Sequence, residues 1–196
     1  MSVERAVHLI CTPHAATIAT TLLWPHDYDT CHPCQHRQQG PRREILLLPH
    51  IPAARLAATH EAGHAVIYQR LGVGVHYATT EPAPEDPSSV GGHVSINLAP
   101  DDFRPVGLWA GPTAVHRMLH ERGTPTFADL VDVGCNARGD SMNLRRCGLP
   151  DSELLAARGE AEQLVEELWG SITRVAGVLA DAGTLTGDQI RQLAAG

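Results

Sequence analysis

No lysine occurs anywhere in the 196 residues; all fifteen basic side chains are arginine. That absence excludes two large classes of chemistry. A P-loop needs its lysine on the β- and γ-phosphates, and Schiff-base or pyridoxal chemistry needs a lysine amine. Basic charge is also short overall, since the net charge is −7, which argues against nucleic acid or an anionic membrane as partner. Cysteine is sparse and odd in number: Cys11, Cys31, Cys34, Cys135 and Cys147. A secreted disulfide scaffold is shorter and denser in cysteine, so the expected compartment is a reducing cytoplasm. Long hydrophobic runs are missing too. The apolar stretch over residues 6–24 carries two His, a Pro and four Thr, and no small-residue cleavage site follows it, so neither a membrane span nor a signal peptide is expected.

What is present suits a single globular domain with an N-terminal appendage, at 43% hydrophobic residues. Residues 25–43 are polar and turn-rich, and the boundary is placed at 51/52. Pro52 sits where an N1 proline belongs, and apolar positions at helical spacing predict a helix over 52–71, stopped by Gly72. Between Val73 and Leu98 the period changes to V-x-V-x-Y-x-T and V-x-I-x-L around a Pro/Glu/Asp loop, which predicts a two-stranded antiparallel ribbon. A helix over 102–121, kinked or restarted at Gly111-Pro112, is expected next. After an irregular loop come a short helix over 140–147 and a long one over 151–181. The apolar face of the long helix is Ala161, Leu164, Val165, Leu168, Ile172, Val175 and Leu179. Thr186-x-x-Gln189 reads as a capping box opening a last short helix. The fold class expected is mainly α with one small two-stranded β-ribbon, and no internal repeat is visible.

Within the first helix lies His60-Glu61-Ala62-Gly63-His64. Residues four apart share a helix face, so His60 and His64 can turn ring nitrogens toward one ion. Glu61 lies about 100° further round, where it reaches the water such an ion activates rather than the ion. Two imidazoles and a carboxylate base are what metal-assisted amide hydrolysis requires. With twelve His and eleven Glu, an HExxH arises by chance in roughly 4% of such chains, so the five residues alone do not decide. Gly63 adds weight: a mid-helix glycine costs about 1 kcal/mol against alanine, so close approach of another element is expected there.

A third protein ligand is usual at catalytic zinc. The H-x-x-G-x-x-H extension is absent, because Ile67 stands where its glycine would. Glu81 and Glu85 fall in the Pro-rich ribbon tip, a poor place for a rigid ligand, leaving Asp129, Asp132 and Asp140 open. Elsewhere, Cys11-x-x-His14 and Cys31-x-x-Cys34, with His32 and His36 nearby, have the spacing of a structural zinc knot. Loose reduced cysteines are the plainer reading. His116 and His120 are also four apart on a helix, but Arg117 occupies the place of a base, and they read as a surface pair. Cys135 and Cys147 read as small buried residues.

H-E-A-G-H-A-V, followed by a ribbon ending in G-G-H-V-S-I, resembles the peptidase domain of the FtsH family of ATP-dependent zinc proteases. L-W-A-G-P-T-A-V (108–115) is similar to that family's Leu-x-Gly-Gly/Ala-x-Ala-Ala-Glu helix. A-R-G-D (137–140) is similar to its Ala-x-x-Asp, and G-T-L-T-G-D-Q-I (183–190) to its Thr-Leu-x-Gly-x-x-Ile ending. The likeness covers about residues 52–195. It implies zinc held by His60, His64 and Asp140, Glu61 as general base, and an extended polypeptide substrate held on the ribbon's edge strand. Three departures accompany it. Val115 replaces the family's Glu, Ser141 follows the ligand Asp where a hydrophobic residue is usual, and the ATPase module has no place in a lysine-free chain with fifty-nine residues before the motif. The expectation is an ATP-independent zinc endopeptidase. Its rival is a non-enzymatic peptide-binding module that keeps zinc for structure; intact Glu61 favours the first, Val115 the second.

Overall fold

The computed structural model describes residues 51–81, 91–98, 104–123, 133 and 137–196. Cys11, His14, His32, His36, Cys31, Cys34, Glu85, Asp129, Asp132 and Cys135 lie outside the described residues, as does the proposed N-terminal unit up to residue 50. Helix α1 (Ala53–Arg70) begins one position later than its proline suggested: Pro52 is the N-cap, and its carbonyl accepts from Arg55 and Leu56. Leu71 closes the helix and Gly72, at φ 77°, turns the chain out. There the freedom of glycine is used, since a β-carbon disfavours that backbone region.

Strands β1 (Val75–Thr79) and β2 (His93–Ile96) pair antiparallel, as the alternation predicts, with a register shift between Val75 and Tyr77. The ribbon expected from sequence is one strand short. A third strand, β3 (Thr184–Thr186), pairs antiparallel with β1 and gives the order β2-β1-β3. Three residues, T-L-T, are too few for a period-2 signal, and Thr186 also caps the next helix, so one role hid the other. That cap is the expected box: the Thr186 hydroxyl accepts from the Gln189 N–H, while the Thr186 N–H donates to the Gln189 side chain.

Helix α2 (Pro105–Glu121) is followed by α3 (Arg138–Arg146), α4 (Asp151–Glu167), α5 (Trp169–Ala182) and α6 (Gly187–Ala195). Of the kink or restart expected at Gly111-Pro112, the restart is absent: helix α2 is continuous there, with Pro112 fully buried inside it. A second expectation is corrected. The single helix expected over 151–181 is two, divided at Leu168 with φ −102° and ψ 13°. The division lies near a change of packing partner. Leu154 and Ala161 of α4 join Leu108, Trp109, Val115 and Met118 of α2 in one apolar cluster. Ile172, Val175 and Leu179 of α5 join Ala58, Ala62, Ala65 and Val66 of α1 in another. Val165, near the end of α4, already belongs to the second cluster, so the passage from one to the other begins before Leu168. The fold is mainly helical with one small antiparallel sheet.

Helices α1 and α2 approach closely because small residues line their contact. A β-carbon on Gly63 would stand 2.8 Å from both the Ala110 carbonyl oxygen and the Ala114 β-carbon. The close approach expected at Gly63 is therefore met by α2. From the next residue on, the pattern reverses: His64 needs Gly111 opposite it and Tyr68 needs Gly107, where a β-carbon would overlap each ring. No helix among the described residues is long and apolar enough to cross a membrane.

Candidate metal centre

His60 and His64 project from one face of α1, and Asp140, in the first turn of α3, meets both. His60 Nε2 is 3.0 Å from Asp140 Oδ2, His64 Nε2 is 3.2 Å from Asp140 Oδ1, and the two Nε2 atoms are 3.0 Å apart. Among the described residues this is the one cluster of three or more possible metal ligands. Its side chains are 15%, 7% and 16% exposed in the order His60, His64, Asp140, so the centre is enclosed yet open on one side to water.

The outer nitrogen of His64 fixes its chemistry. His64 Nδ1 donates to the Gly107 carbonyl oxygen over 2.7 Å, and a carbonyl can only accept. The proton of a neutral His64 is thereby held on Nδ1, and Nε2 is a bare lone pair. That lone pair faces a carboxylate oxygen and a second imidazole nitrogen. A lone pair 3.2 Å from Asp140 Oδ1 is repelled unless a cation, either a proton or a metal ion, lies between the two. Without a metal the proton supplies it. Burial pushes the His64 pKa down, but the Asp140 charge and hydrogen bond and the Glu61 charge overcome this and raise it to about 9. The reverse holds for Asp140, where burial is outweighed by the two histidines and the carboxyl pKa is lowered far below its ordinary range.

The donors fit a metal ion. Ligands about 2.0–2.1 Å from a common tetrahedral centre lie about 3.3 to 3.4 Å from one another, and the separations here, 3.0, 3.2 and 3.0 Å, lie slightly inside that. Two imidazoles with one carboxylate suit a borderline divalent ion, and three protein ligands leave a coordination position for water or substrate. These three residues can hold a metal ion.

Glu61 is 5% exposed and stands beside the cluster on α1. Burial raises its pKa, with His60 and His64 pulling the other way. Gly92, the residue before β2, lies against it: a β-carbon there would come 2.8 Å from Glu61 Cγ. Of the sequence-derived alternatives, Glu81 is exposed in the described loop after β1 and takes no part in the cluster. Val115 is buried among Leu108, Trp109 and Met118, so a carboxylate there would enter an apolar cluster. The orienting partner of His64 is the Gly107 backbone instead. Gly107, Gly111 and Gly92 are the functional positions that sequence reasoning passed over. The Gly111-Pro112 pair signals a kink or restart of the helix, and its glycine also makes room for the His64 ring. Cys147 is partly buried, and burial raises its thiol pKa.

No protein-family model matches the chain, and no curated protein shows significant similarity to it.

Proposed function

We propose that the chain is a zinc-dependent endopeptidase of the HExxH type, similar to the peptidase domain of the FtsH family, acting on extended polypeptide without ATP. His60, His64 and Asp140 hold the ion and Glu61 is the general base and acid. The observation that carries this reading is the orientation of His64, whose lone pair is aimed by the Gly107 carbonyl at Asp140 and His60. Bound zinc supplies a polarised carbonyl and a water acidified towards pKa ~7.

The remaining work falls to the chain's own residues. Glu61 takes a proton from the attacking water and passes it to the leaving amide nitrogen, so that peptide and water become a carboxylic acid and an amine. A carboxyl raised by burial is matched to both transfers. Among the described strands β2 lies at a sheet edge, and Gly92 at its start touches Glu61. An extended peptide added along that edge presents its carbonyl beside the carboxylate, and this supports polypeptide as the substrate. Nothing in the chain offers the lysine of a P-loop, so unfolding by ATP hydrolysis is not part of the activity.

Glu61→Gln tests the assignment. It keeps the shape of the side chain and loses the base, so peptide cleavage falls by two to four orders of magnitude while zinc content stays at the wild-type level. Substantial cleavage by the purified variant would falsify the role of Glu61.

A further inference from the structure

A second pair of histidines reproduces the geometry of the first. On α2, His116 Nε2 and His120 Nε2 are 3.1 Å apart, with ring centroids at 4.4 Å and planes inclined by 69°. The corresponding values for His60 and His64 are 3.0 Å, 4.7 Å and 76°. The sequence reads His116 and His120 as a surface pair, yet their rings are turned toward each other rather than outward to water.

We infer that His116 and His120 form a second metal site, a two-imidazole chelate for a divalent ion of the zinc, nickel and copper class. At metal–nitrogen distances of about 2.0–2.1 Å, nitrogens 3.1 Å apart subtend about 100° at the ion, close to a tetrahedral angle. Imidazole selects borderline transition metals over calcium or magnesium, which prefer oxygen. The pair lies in the last two turns of α2, where the partial negative charge of the helix C-terminus favours a cation. Arg117, between the two in sequence, is drawn aside: it binds Glu121 at 3.2 Å and Glu166 at 2.5 Å and lies over the Trp169 ring.

Glu162 of α4 is engaged by Arg158 at 2.8 Å, which leaves the outer coordination positions to water. His120 is exposed and His116 half-buried, so the ion exchanges freely with solvent. Where the first motif has Glu61, this one has Arg117, so the motif itself offers no carboxylate base and the site is assigned to binding. It is independent of the peptidase reading.

The test is a zinc titration of the full chain against a chromophoric chelator, repeated with nickel. The wild type is expected to take up one more ion than His116→Gln/His120→Gln, and that extra step persists in His60→Asn/His64→Asn. His120→Gln alone weakens the step by about tenfold or more, since loss of even an outer partner of a ligand costs 10–100-fold. Circular dichroism checks that the variants fold; should the double variant fail, the exposed His120→Gln carries the comparison. Equal stoichiometry and equal affinities in wild type and variant would overturn the site and leave a neutral N–H···N pair.

Discussion

His64 reaches the Gly107 carbonyl with Nδ1 and Asp140 Oδ1 with Nε2, 2.7 Å on one side of the ring and 3.2 Å on the other. The two contacts set opposite demands. The first fixes a proton on Nδ1, and the second calls for a positive charge at Nε2. Metal and proton therefore compete for one position, and the competition is measurable.

In the metal-free protein His64 holds its proton up to about pH 9, against an ordinary 6.5. The folded state then binds more protons than the unfolded state between those values. Its contribution to stability is full below pH 6.5 and is lost as pH rises through about 9. In the metal-loaded protein Nε2 carries no proton, so between pH 6.5 and 9 this group adds no slope, and below 6.5 stability falls with pH. Denaturant unfolding at fixed free zinc should show the gap between loaded and metal-free protein widening from pH 6.5 to 9. Zinc uptake at pH 7.5 should release a proton, measurable as a buffer-dependent binding enthalpy. A gap that stays constant over that range would contradict the assigned tautomer.

Asp140→Asn probes the same contact from the other side. It removes the charge that raises His64 and one of three ligands, and the remaining pair is a weaker chelate. Zinc affinity is expected to fall by about a hundredfold or more, and the downward slope of metal-free stability between pH 6.5 and 9 should vanish. Asp132→Asn is the control, and it should retain wild-type affinity. Loss of metal in Asp132→Asn with retention in Asp140→Asn would move the third ligand.

Gly111→Ala asks whether the small-residue contact between α1 and α2 positions the centre. Alanine is the better helix former by about 1 kcal/mol, so propensity alone predicts a more stable protein. Here its β-carbon would occupy the space of the His64 ring. Overpacking costs typically ~1–3 kcal/mol, and relief comes most readily by turning His64 away from Asp140. The expected outcome is a folded protein with sharply reduced zinc affinity. Thermal melts with and without zinc would separate the two: the zinc-dependent rise in Tm should shrink or disappear.

Much of this arrangement was legible in the sequence, for reasons tied to particular residues. The HExxH pair needed only helical period, and the Pro52 entry and Gly72 exit marked its helix. The capping box at Thr186 was legible because it is local. What was missed is tertiary. Strand β3 exists because β1 offers an edge to three residues that have no pattern of their own. The break at Leu168 lies near the passage from one apolar cluster to the other, which the run of apolar positions does not reveal. The carbonyl of Gly107 is a backbone atom, so no residue type announces it. Asp140 sits 80 residues from His60 and was singled out by resemblance; spacing alone left Asp129 and Asp132 beside it.

What the proposed peptidase cuts is limited by the enclosure of its centre. Its carboxylate and histidines are largely enclosed, and on the proposed reading the edge strand β2 takes up a chain only in extended form. A folded substrate presents such a chain only on opening. With a stability of roughly 5–15 kcal/mol the open fraction is very small, so cleavage of a stable domain should be slow. Without a P-loop lysine, ATP cannot raise that fraction through this chain. The assay compares a stable domain with a variant of it destabilised by about 3 kcal/mol, each with and without ATP. When opening and closing are fast relative to cleavage, the rate follows the open population, so the destabilised variant should be cut about 150-fold faster, at 1.4 kcal/mol per factor of ten. ATP should change neither rate. Equal rates on the two substrates would show that folded surfaces are attacked directly, and stimulation of the purified chain by ATP would remove the ATP-independent reading.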